Sequence, residues 1–385
     1  MYLKTTIGLI LLSLASPYLY DREQVLETFF RNAPGKLNKF STFKEYEVKF
    51  ANKLRNCEDA LLDEAMGLAI LSCDVGRDKW NTVMGNFHNE RVPSGALYIY
   101  DYSNFDLSDE AAVKRLTLTD FPSGDTDFHP LGIEYYVPTS TLYVVNHAST
   151  GSTIEIFHLS VSSLTATHIR TLKHPLVHTP NSIAAITDTE IYFTNDHYFP
   201  ARENTLLAKA ETYLAVPGGS VVHVNLITDS AKIVAHIPFP NGIAVLNETT
   251  LAVSSTSKPG VYLYTMTKQS DLVLQKVIRV PSLIDNLSVD ANGKLLIAGH
   301  PHAPSLVTVS GARALCNSDK PEERESEVCK VRAPSWVGEW TEEAGLRELY
   351  QGLDFQTSCT AIRDTKKGLG IVTGLYERGI MVWKE

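Results

Sequence analysis

The segment Pro240-Asn241-Gly242-Ile243, followed by a turn and the apolar run Thr250-Leu251-Ala252-Val253, is one unit of a pattern that recurs along this 385-residue chain. In each unit a short apolar run begins at or next to a polar residue, a turn follows, and a second apolar run returns. Six units can be counted, and they begin at or next to Glu58, Leu131, Asn181, Asn241, Asp285 and Ser358.

The units are unevenly spaced, so their shared phase is a stronger indication of the fold than their length. Units of this size are typical of four-stranded propeller blades, in which equivalent positions form a ring around a central channel. The sequence therefore predicts an all-β fold, a six-bladed β-propeller with an N-terminal helical leader. A pair of β-sandwiches is the competing architecture.

Other segments between the units concentrate β-branched and aromatic residues, which favours strands. These segments are residues 95–100, 153–157, 220–224, 261–264 and 380–383. Helical patterning is largely limited to Asp21–Phe30 and Glu342–Tyr350. We expect a leader at residues 1–20, a helical or linker segment at 21–56, and the propeller at 57–385 with a charged insertion near 311–340.

The composition is that of one large globular domain. Apolar residues make up 44% of the chain and its net charge is -9. No basic stripe suited to a phosphate backbone is present, so nucleic acid is not an expected partner.

The first residues resemble a secretory leader. Lys4 precedes the apolar run Ile7–Ala15, and Ser13 and Ala15 are small residues at the positions that a signal peptidase prefers. The pattern predicts a cleaved signal peptide or a retained membrane anchor, and hence a protein of the secretory pathway that is secreted or held at a membrane; a buried N-terminal helix is the alternative. Asn247-Glu-Thr is a glycosylation sequon consistent with secretion.

The chain has five cysteines, so at least one is unpaired within a monomer. Cys316 and Cys329 flank a polar, charged loop, where a disulfide would staple an exposed insertion; two free thiols are the alternative. Cys57 and Cys359 begin the first and last units, which are neighbours in a closed ring, so a second hypothesis pairs them. No Cys-x-x-Cys spacing supports a zinc site.

Carboxylate or amide side chains stand at the start of four of the six units. In a propeller these positions converge on the channel from different blades. Two carboxylates and three amides form a hard, all-oxygen donor set of the kind that Ca²⁺ prefers. Any one of these asparagines taken alone is an ordinary turn residue. The set predicts one calcium site formed by Glu58, Asn181, Asn241, Asp285 and Asn286.

Longer motifs occur in a distinctive order from about Cys57 to the C-terminus. They are Asn146-His147 with Ser152–Phe157, then Thr194–Phe199, Asn241-Gly-Ile, and Asp285–Asp290 with Gly299–Pro301. In this order they resemble the serum paraoxonase/arylesterase family. The resemblance implies a six-bladed propeller that holds two calcium ions and hydrolyses lactones and aryl esters.

The resemblance places the family's catalytic calcium on the same five residues. For the second, structural calcium it implies Asp59 and the backbone carbonyl of Ile133, but Ser182 stands where the family carries aspartate. One negative charge is therefore missing. We expect one catalytic calcium ion and a weak, water-completed or empty second site.

The family's proposed proton-transfer pair is incomplete. Its second histidine is kept as His147, whereas the first is replaced by Leu131, which cannot move a proton. His129 lies two residues earlier, on the same face of an extended chain. The candidate bases are therefore His147, His129 and a metal-bound carboxylate, Asp285. The repeat phase also places His300 near the channel.

The predicted function is calcium-dependent hydrolysis of small carboxylic esters, with lactones and aryl esters as the substrate class. Two alternatives stay open because a fold alone does not decide function. One is a non-hydrolytic isomerisation or cyclisation of a small molecule held by calcium. The other is a binding propeller without catalysis.

Overall fold

Six mainly antiparallel sheets surround a central channel in the computed structural model of the chain, which describes residues 2–88, 92–104, 107–122, 124, 126–316, 320 and 322–385. The innermost strands of successive sheets contact one another in chain order, and the innermost strand of the last sheet contacts that of the first. The ring is therefore closed, and the prediction of a six-bladed β-propeller is confirmed.

The blades are numbered in chain order, and their strands are given from the channel outward. Blade 1 comprises Cys57–Asp63, Leu68–Cys73, Ala96–Asp101 and Val113–Arg115. Blade 2 comprises Pro130–Tyr136, Thr141–Ala148, Gly151–Ser160, Thr165–Leu172 and the parallel edge strand Thr117–Thr119. Blade 3 comprises Pro180–Ala185, Glu190–Asn195, Gly219–Asn225 and Ser230–Ile237.

The remaining three blades complete the ring. Blade 4 comprises Pro240–Asn247, Thr250–Ser255, Gly260–Met266 and Leu272–Arg279. Blade 5 comprises Leu283–Val289, Leu295–His300, Ser335–Thr341, Gly345–Gly352 and the edge strand Phe40–Ser41. Blade 6 comprises Ser358–Asp364, Leu369–Gly374, Ile380–Lys384 and the edge strand Glu45–Lys49. A short hairpin, Trp80–Asn81 with Asn86–Phe87, projects from blade 1.

The ring is closed by the two ends of the chain. Glu45–Lys49 pairs antiparallel with Ile380–Lys384, so an early strand forms the outer edge of the last blade. The propeller therefore includes strands from the segment that the sequence assigned to a helix or linker. The helix predicted at Glu342–Tyr350 was wrong: Gly345 adopts a φ of 71°, which glycine tolerates best, and its turn folds the chain back as a strand.

Among the described residues, five α-helices lie outside the sheets: α1 Tyr2–Arg31, α2 Asp109–Ala112, α3 Thr205–Tyr213, α4 Ala303–Arg313 and α5 Glu327–Lys330, with 3₁₀ turns at Val75–Asp78 and Val137–Thr139. The Asn204 side chain caps α3 by accepting from the Leu207 amide at 3.0 Å. Nowhere in the described part of the chain is a helix both long and apolar enough to cross a bilayer.

The core consists of apolar layers between neighbouring blades. Between blades 1 and 2, for example, Leu97 and Ile99 pack with Val144 and Phe157, all of them buried. Burying one such side chain contributes about 1.5–3 kcal/mol relative to leaving it exposed. Because each layer needs both blades, the ring is held together mainly by contacts that are distant in sequence.

The structure contains two disulfides, Cys57–Cys73 and Cys316–Cys329. The second confirms the predicted staple of the charged insertion. The predicted pairing of Cys57 with Cys359 was wrong. Cys73 lies directly opposite Cys57 on the neighbouring strand of blade 1, whereas Cys359 is a buried free thiol in blade 6.

Candidate metal centre

A β-bulge lies near the start of the inner strand of every blade. The pairing register of these strands shifts between Cys57 and Asp59, Pro180 and Ile183, Pro240 and Ile243, and Ile284 and Leu287, and blades 2 and 6 shift at the corresponding points. A bulge leaves residues unpaired and re-aims their side chains. All five predicted calcium ligands fall within these bulges.

The bulge in blade 5 depends on close packing by its neighbour. A Cβ atom on Gly242 of blade 4 would lie 2.6 Å from the Cα of Asn286. Only glycine allows the two inner strands to approach so closely at this height. Asn241 is thus one predicted ligand, and the neighbouring Gly242 leaves the space that Asn286, another predicted ligand, occupies.

The predicted ligands are almost completely buried, and several of their oxygens have no partner. Glu58 is 2% exposed and Asn241 4% exposed. Within the described part of the chain, the side-chain oxygens without any hydrogen-bond partner include Glu58 Oε2, Asn181 Oδ1, Asn241 Oδ1 and Asn286 Oδ1. Such atoms are rare in folded proteins because each lost hydrogen bond costs about 1–3 kcal/mol. The unpartnered oxygens form a hard donor set from four blades.

The amide nitrogens of the same asparagines are all engaged. Asn286 Nδ2 donates to Glu58 Oε1 at 2.8 Å and to Thr360 Oγ1 at 3.0 Å. Asn241 Nδ2 donates to a threonine hydroxyl at 3.2 Å, and Asn181 Nδ2 makes a longer contact of 3.4 Å with a carboxylate. These donors fix the amide planes, so the unpartnered atoms are oxygens rather than nitrogens.

The local charge favours a bound cation. Burial raises the pKa of Glu58 well above its usual value, and the nearby carboxylates of Asp59 and Asp285 raise it further. Arg77 opposes this shift only in part. A divalent ion would offset the crowded negative charge. The donor chemistry and the charge of these residues both fit calcium.

His300 is held against one of the predicted ligands. Its Nε2 lies 2.8 Å from Asp285 Oδ2, while its Nδ1 is buried without a partner. Cys359 completes a small cluster: one atom each from Asp285, His300 and Cys359 lie within 4.8 Å of one another. Burial, followed by the Asp285 and Glu58 charges, raises the pKa of the Cys359 thiol well above its usual value, so it is a poor nucleophile. Sequence reasoning did not associate Cys359 with this centre, because a lone cysteine carries no motif.

Four of the five predicted ligands line a cavity of about 270 Å³ whose other walls are mainly apolar: Glu58, Asn181, Asn241 and Asp285. Leu131, at the position of the family's missing histidine, is 2% exposed and lines it. Helices α3 and α4 and the hairpin of blade 1 supply much of the remaining wall. Its other apolar side chains are Val83, Met84, Phe239, Leu283, Ala303, Leu306, Val307 and Leu375.

The two predicted catalytic histidines lie away from this cavity lining. His147 Nε2 contacts the Pro180 carbonyl oxygen at 2.7 Å, and its Nδ1 contacts the Thr82 hydroxyl, so both ring nitrogens are engaged. Burial lowers the pKa of His147. His129 Nδ1 pairs with Asp74 Oδ2 at 3.1 Å. Neither histidine is among the residues that line the cavity around Glu58.

The residues expected for a second calcium meet in a different cavity, of about 540 Å³, farther along the channel. Asp59, Ile133 and Ser182 all line it. However, Asp59 Oδ2 accepts from the Ile133 amide at 2.8 Å, and its Oδ1 accepts from the Ala60 amide and the Thr360 hydroxyl. Burial raises the pKa of Asp59 to about 6. Both oxygens of Asp59, the only carboxylate expected to hold the second cation, are therefore already engaged by donors of the chain.

Comparison with known proteins identifies the family. The arylesterase family model matches residues 86–332, which is more than half of the chain. Serum paraoxonase/lactonase 3 of Oryctolagus cuniculus is 34% identical over 186 residues, covering 47% of this chain and 51% of the relative. Serum paraoxonase/arylesterase 1 of Mus musculus is 31% identical over 199 residues, covering 50% and 55%. The chain thus aligns with about half the length of these curated relatives.

A solved gluconolactonase from Xanthomonas campestris has a similar fold. It superimposes with a TM-score of 0.53 at 15% sequence identity, over 86% of each chain. At this identity the likeness supports the propeller fold alone. The two inner strands of blade 1 and all of blade 6 lie outside the residues matched by the family model, so the structure is what brings Glu58 to the other predicted ligands. By the extent of the family match, this chain belongs to the arylesterase family.

Proposed function

We propose that this chain is a calcium-dependent hydrolase of carboxylic esters, with lactones and aryl esters as its substrate class. The observation that carries the proposal is the set of four unpartnered buried oxygens at the metal centre, on Glu58, Asn181, Asn241 and Asn286. Membership of the arylesterase family and similarity to a paraoxonase/lactonase support the reaction type.

Bound calcium would polarise the substrate carbonyl and offset negative charge that develops on its oxygen. The chain's own contribution is to hold the ion with fixed oxygens. Because the amide nitrogens are tied to neighbouring strands, the donors need little reorganisation on binding. The apolar wall that includes Leu131 and Leu306 would receive the hydrophobic part of the substrate and exclude water from it.

The proton acceptor of this chain is His300 in our proposal. His300 Nε2 lies 2.8 Å from Asp285 Oδ2; with the proton on Nε2, this contact fixes the ring and leaves a lone pair on the unpartnered Nδ1. A histidine oriented by a carboxylate in this way is suited to take a proton from water. His147 has no such atom, since both of its nitrogens are already in contact with neighbours. In this proposal the Asp285–His300 pair takes the role of the family's histidine pair.

Entry into the secretory pathway is part of the proposal. It is supported by the leader at residues 1–20 and by the two disulfides, which persist in oxidising compartments. N-terminal sequencing of the protein secreted from a eukaryotic host tests it: a mature chain beginning near residue 16 indicates cleavage, and an intact Met1 in the membrane fraction indicates a retained anchor. Retention in the cytosol with reduced thiols would contradict it.

Phenyl acetate and a series of aliphatic lactones, assayed with calcium and with a chelator, test the hydrolase activity. We expect turnover that disappears with chelator, returns with calcium, and is lost in Glu58→Gln. Glu248→Gln is the matched control, because Glu248 lies in the other cavity of the channel.

Two outcomes would oppose the proposal in different ways. Tight calcium binding without turnover of any ester or lactone would leave the metal site standing and favour the non-hydrolytic alternatives. Turnover that is indifferent to chelator and to Glu58→Gln would separate the reaction from this centre.

A further inference from the structure

A third cavity, of about 280 Å³, lies beside the stapled insertion and is unusually basic. Its cationic lining residues are Arg55, Arg313, Arg324, Lys330, Arg332 and Arg378. Among the described residues, the carboxylates that also line it are Glu325 and Glu377, and Asp78, which is not part of the lining, pairs with Arg55. Because the chain as a whole carries a net charge of -9, this concentration of positive charge is specific to the cavity.

Two of these guanidinium groups are held by neutral acceptors. Arg313 Nη1 donates to the Cys329 carbonyl at 3.0 Å, and Arg332 Nη1 donates to the Leu353 carbonyl at 3.0 Å. A guanidinium has five N–H donors, so one carbonyl contact leaves most of its donor capacity for another acceptor. These contacts position the groups without neutralising their charge.

The cations also crowd one another. Burial lowers the pKa of Arg313, and the positive charges of Arg55 and Arg332 lower it further, against the opposing effect of Glu377 and Asp78. The Glu377 carboxylate already accepts hydrogen bonds from two backbone amides, those of Gln356 at 3.2 Å and Arg378 at 2.8 Å. A further anion in the cavity would relieve the repulsion.

We propose that this cavity is a binding site for a small oxyanion, distinct from the metal centre. Guanidinium groups present paired N–H donors that match the oxygens of carboxylates, sulfates and phosphates, and they hold such anions by charge-assisted hydrogen bonds. The disulfide Cys316–Cys329 lines the same cavity, so it fixes the insertion over the site.

Helix α4 connects the two sites. Arg313, at its C-terminal end, lines the basic cavity, whereas Ser310, one turn earlier, lines the cavity of the metal centre. Tyr376 lines the basic cavity, and its hydroxyl lies 2.8 Å from Ser310 Oγ. An oxyanion bound at one end of α4 therefore stabilises a wall of the catalytic cavity.

The test is isothermal titration calorimetry of the full, calcium-loaded chain with sulfate, phenyl phosphate and succinate as separate probes. We expect saturable binding at one site per chain. Binding of sulfate and phenyl phosphate alone assigns a tetrahedral oxyanion, and binding of succinate alone assigns a carboxylate. Loss of one charge-assisted contact weakens binding by about tenfold or more, so we expect this effect in Arg332→Gln and in Arg313→Gln.

The matched control is Lys232→Gln, which removes one positive charge at the edge of blade 3, and we expect it to leave anion affinity unchanged. Arg332 is exposed, so its replacement tests the site even if Arg313→Gln fails to fold. The proposal is overturned if no probe binds saturably, or if Arg332→Gln and Lys232→Gln bind as tightly as the unsubstituted chain.

Discussion

Replacing Asn181 with leucine removes one unpartnered buried oxygen while nearly keeping the side-chain shape. An unsatisfied buried carbonyl costs about 1–3 kcal/mol, whereas the hydrogen bond that is lost, from Asn181 Nδ2 to Asp196 at 3.4 Å, is long and weak. Without calcium, Asn181→Leu should therefore increase the free energy of unfolding by about 1 kcal/mol. In saturating calcium the sign reverses, because a tenfold loss of calcium affinity removes about 1.4 kcal/mol of stabilisation.

Melting temperatures of both chains, measured in chelator and in calcium, test this reversal. Asn146→Leu is the matched control: Asn146 is equally buried, but its Oδ1 accepts from the His129 amide at 2.8 Å. The control variant should be less stable in both conditions. If Asn181→Leu is destabilised equally in chelator and in calcium, the unpartnered oxygen is not a metal ligand and the reasoning fails.

Three further predictions test other parts of the molecule. His300→Ala should lower kcat for phenyl acetate by roughly 10²–10⁴-fold, and His147→Ala much less; equal losses would argue against His300 as the base. Gly242→Ala should lower the melting temperature and the calcium affinity, because overpacking costs about 1–3 kcal/mol, whereas Gly35→Ala, in open space, should change neither in a calcium titration. Burial raises the pKa of Glu134 from 4.5 to about 7, so the folded chain binds this proton more tightly than the unfolded chain. The free energy of unfolding therefore falls as the pH rises from about 4.5 to about 7. Glu134→Gln should accordingly raise the melting temperature at pH 8 and not at pH 4.5, and a pH-independent effect would contradict this assignment.

Much of the fold was accessible from the sequence because the inner strands share a phase. Each predicted unit begins at the first residue of an inner strand or within two residues of it, as at Pro180 and Pro240. The outer strands were harder to assign. Glu45–Lys49 carries no repeat signal and becomes a strand only because Ile380–Lys384 offers it an unpaired edge.

The candidate metal centre was predicted from the sequence as a list of residues, whereas the contacts among those residues depend on the packed structure. Residue types indicated the donors Glu58 and Asn181. Only the packed structure shows that their oxygens lack partners, that His300 is oriented by Asp285, and that Cys359 lies beside them. These relations join different blades, and no local pattern encodes them.

The sequence by itself predicted the number of blades and a donor set of the kind that calcium prefers, because both depend on residue identity and spacing along the chain. The resemblance to the arylesterase family marked Leu131 as the replacement of a histidine. The tertiary structure decided which atoms are left unpartnered, which cysteines pair and which histidine faces the cavity. It also collected the basic residues around Arg313 from distant segments. The physical reason is that hydrogen-bond satisfaction, burial and charge crowding are properties of neighbours in space, and in a propeller those neighbours come from opposite ends of the chain.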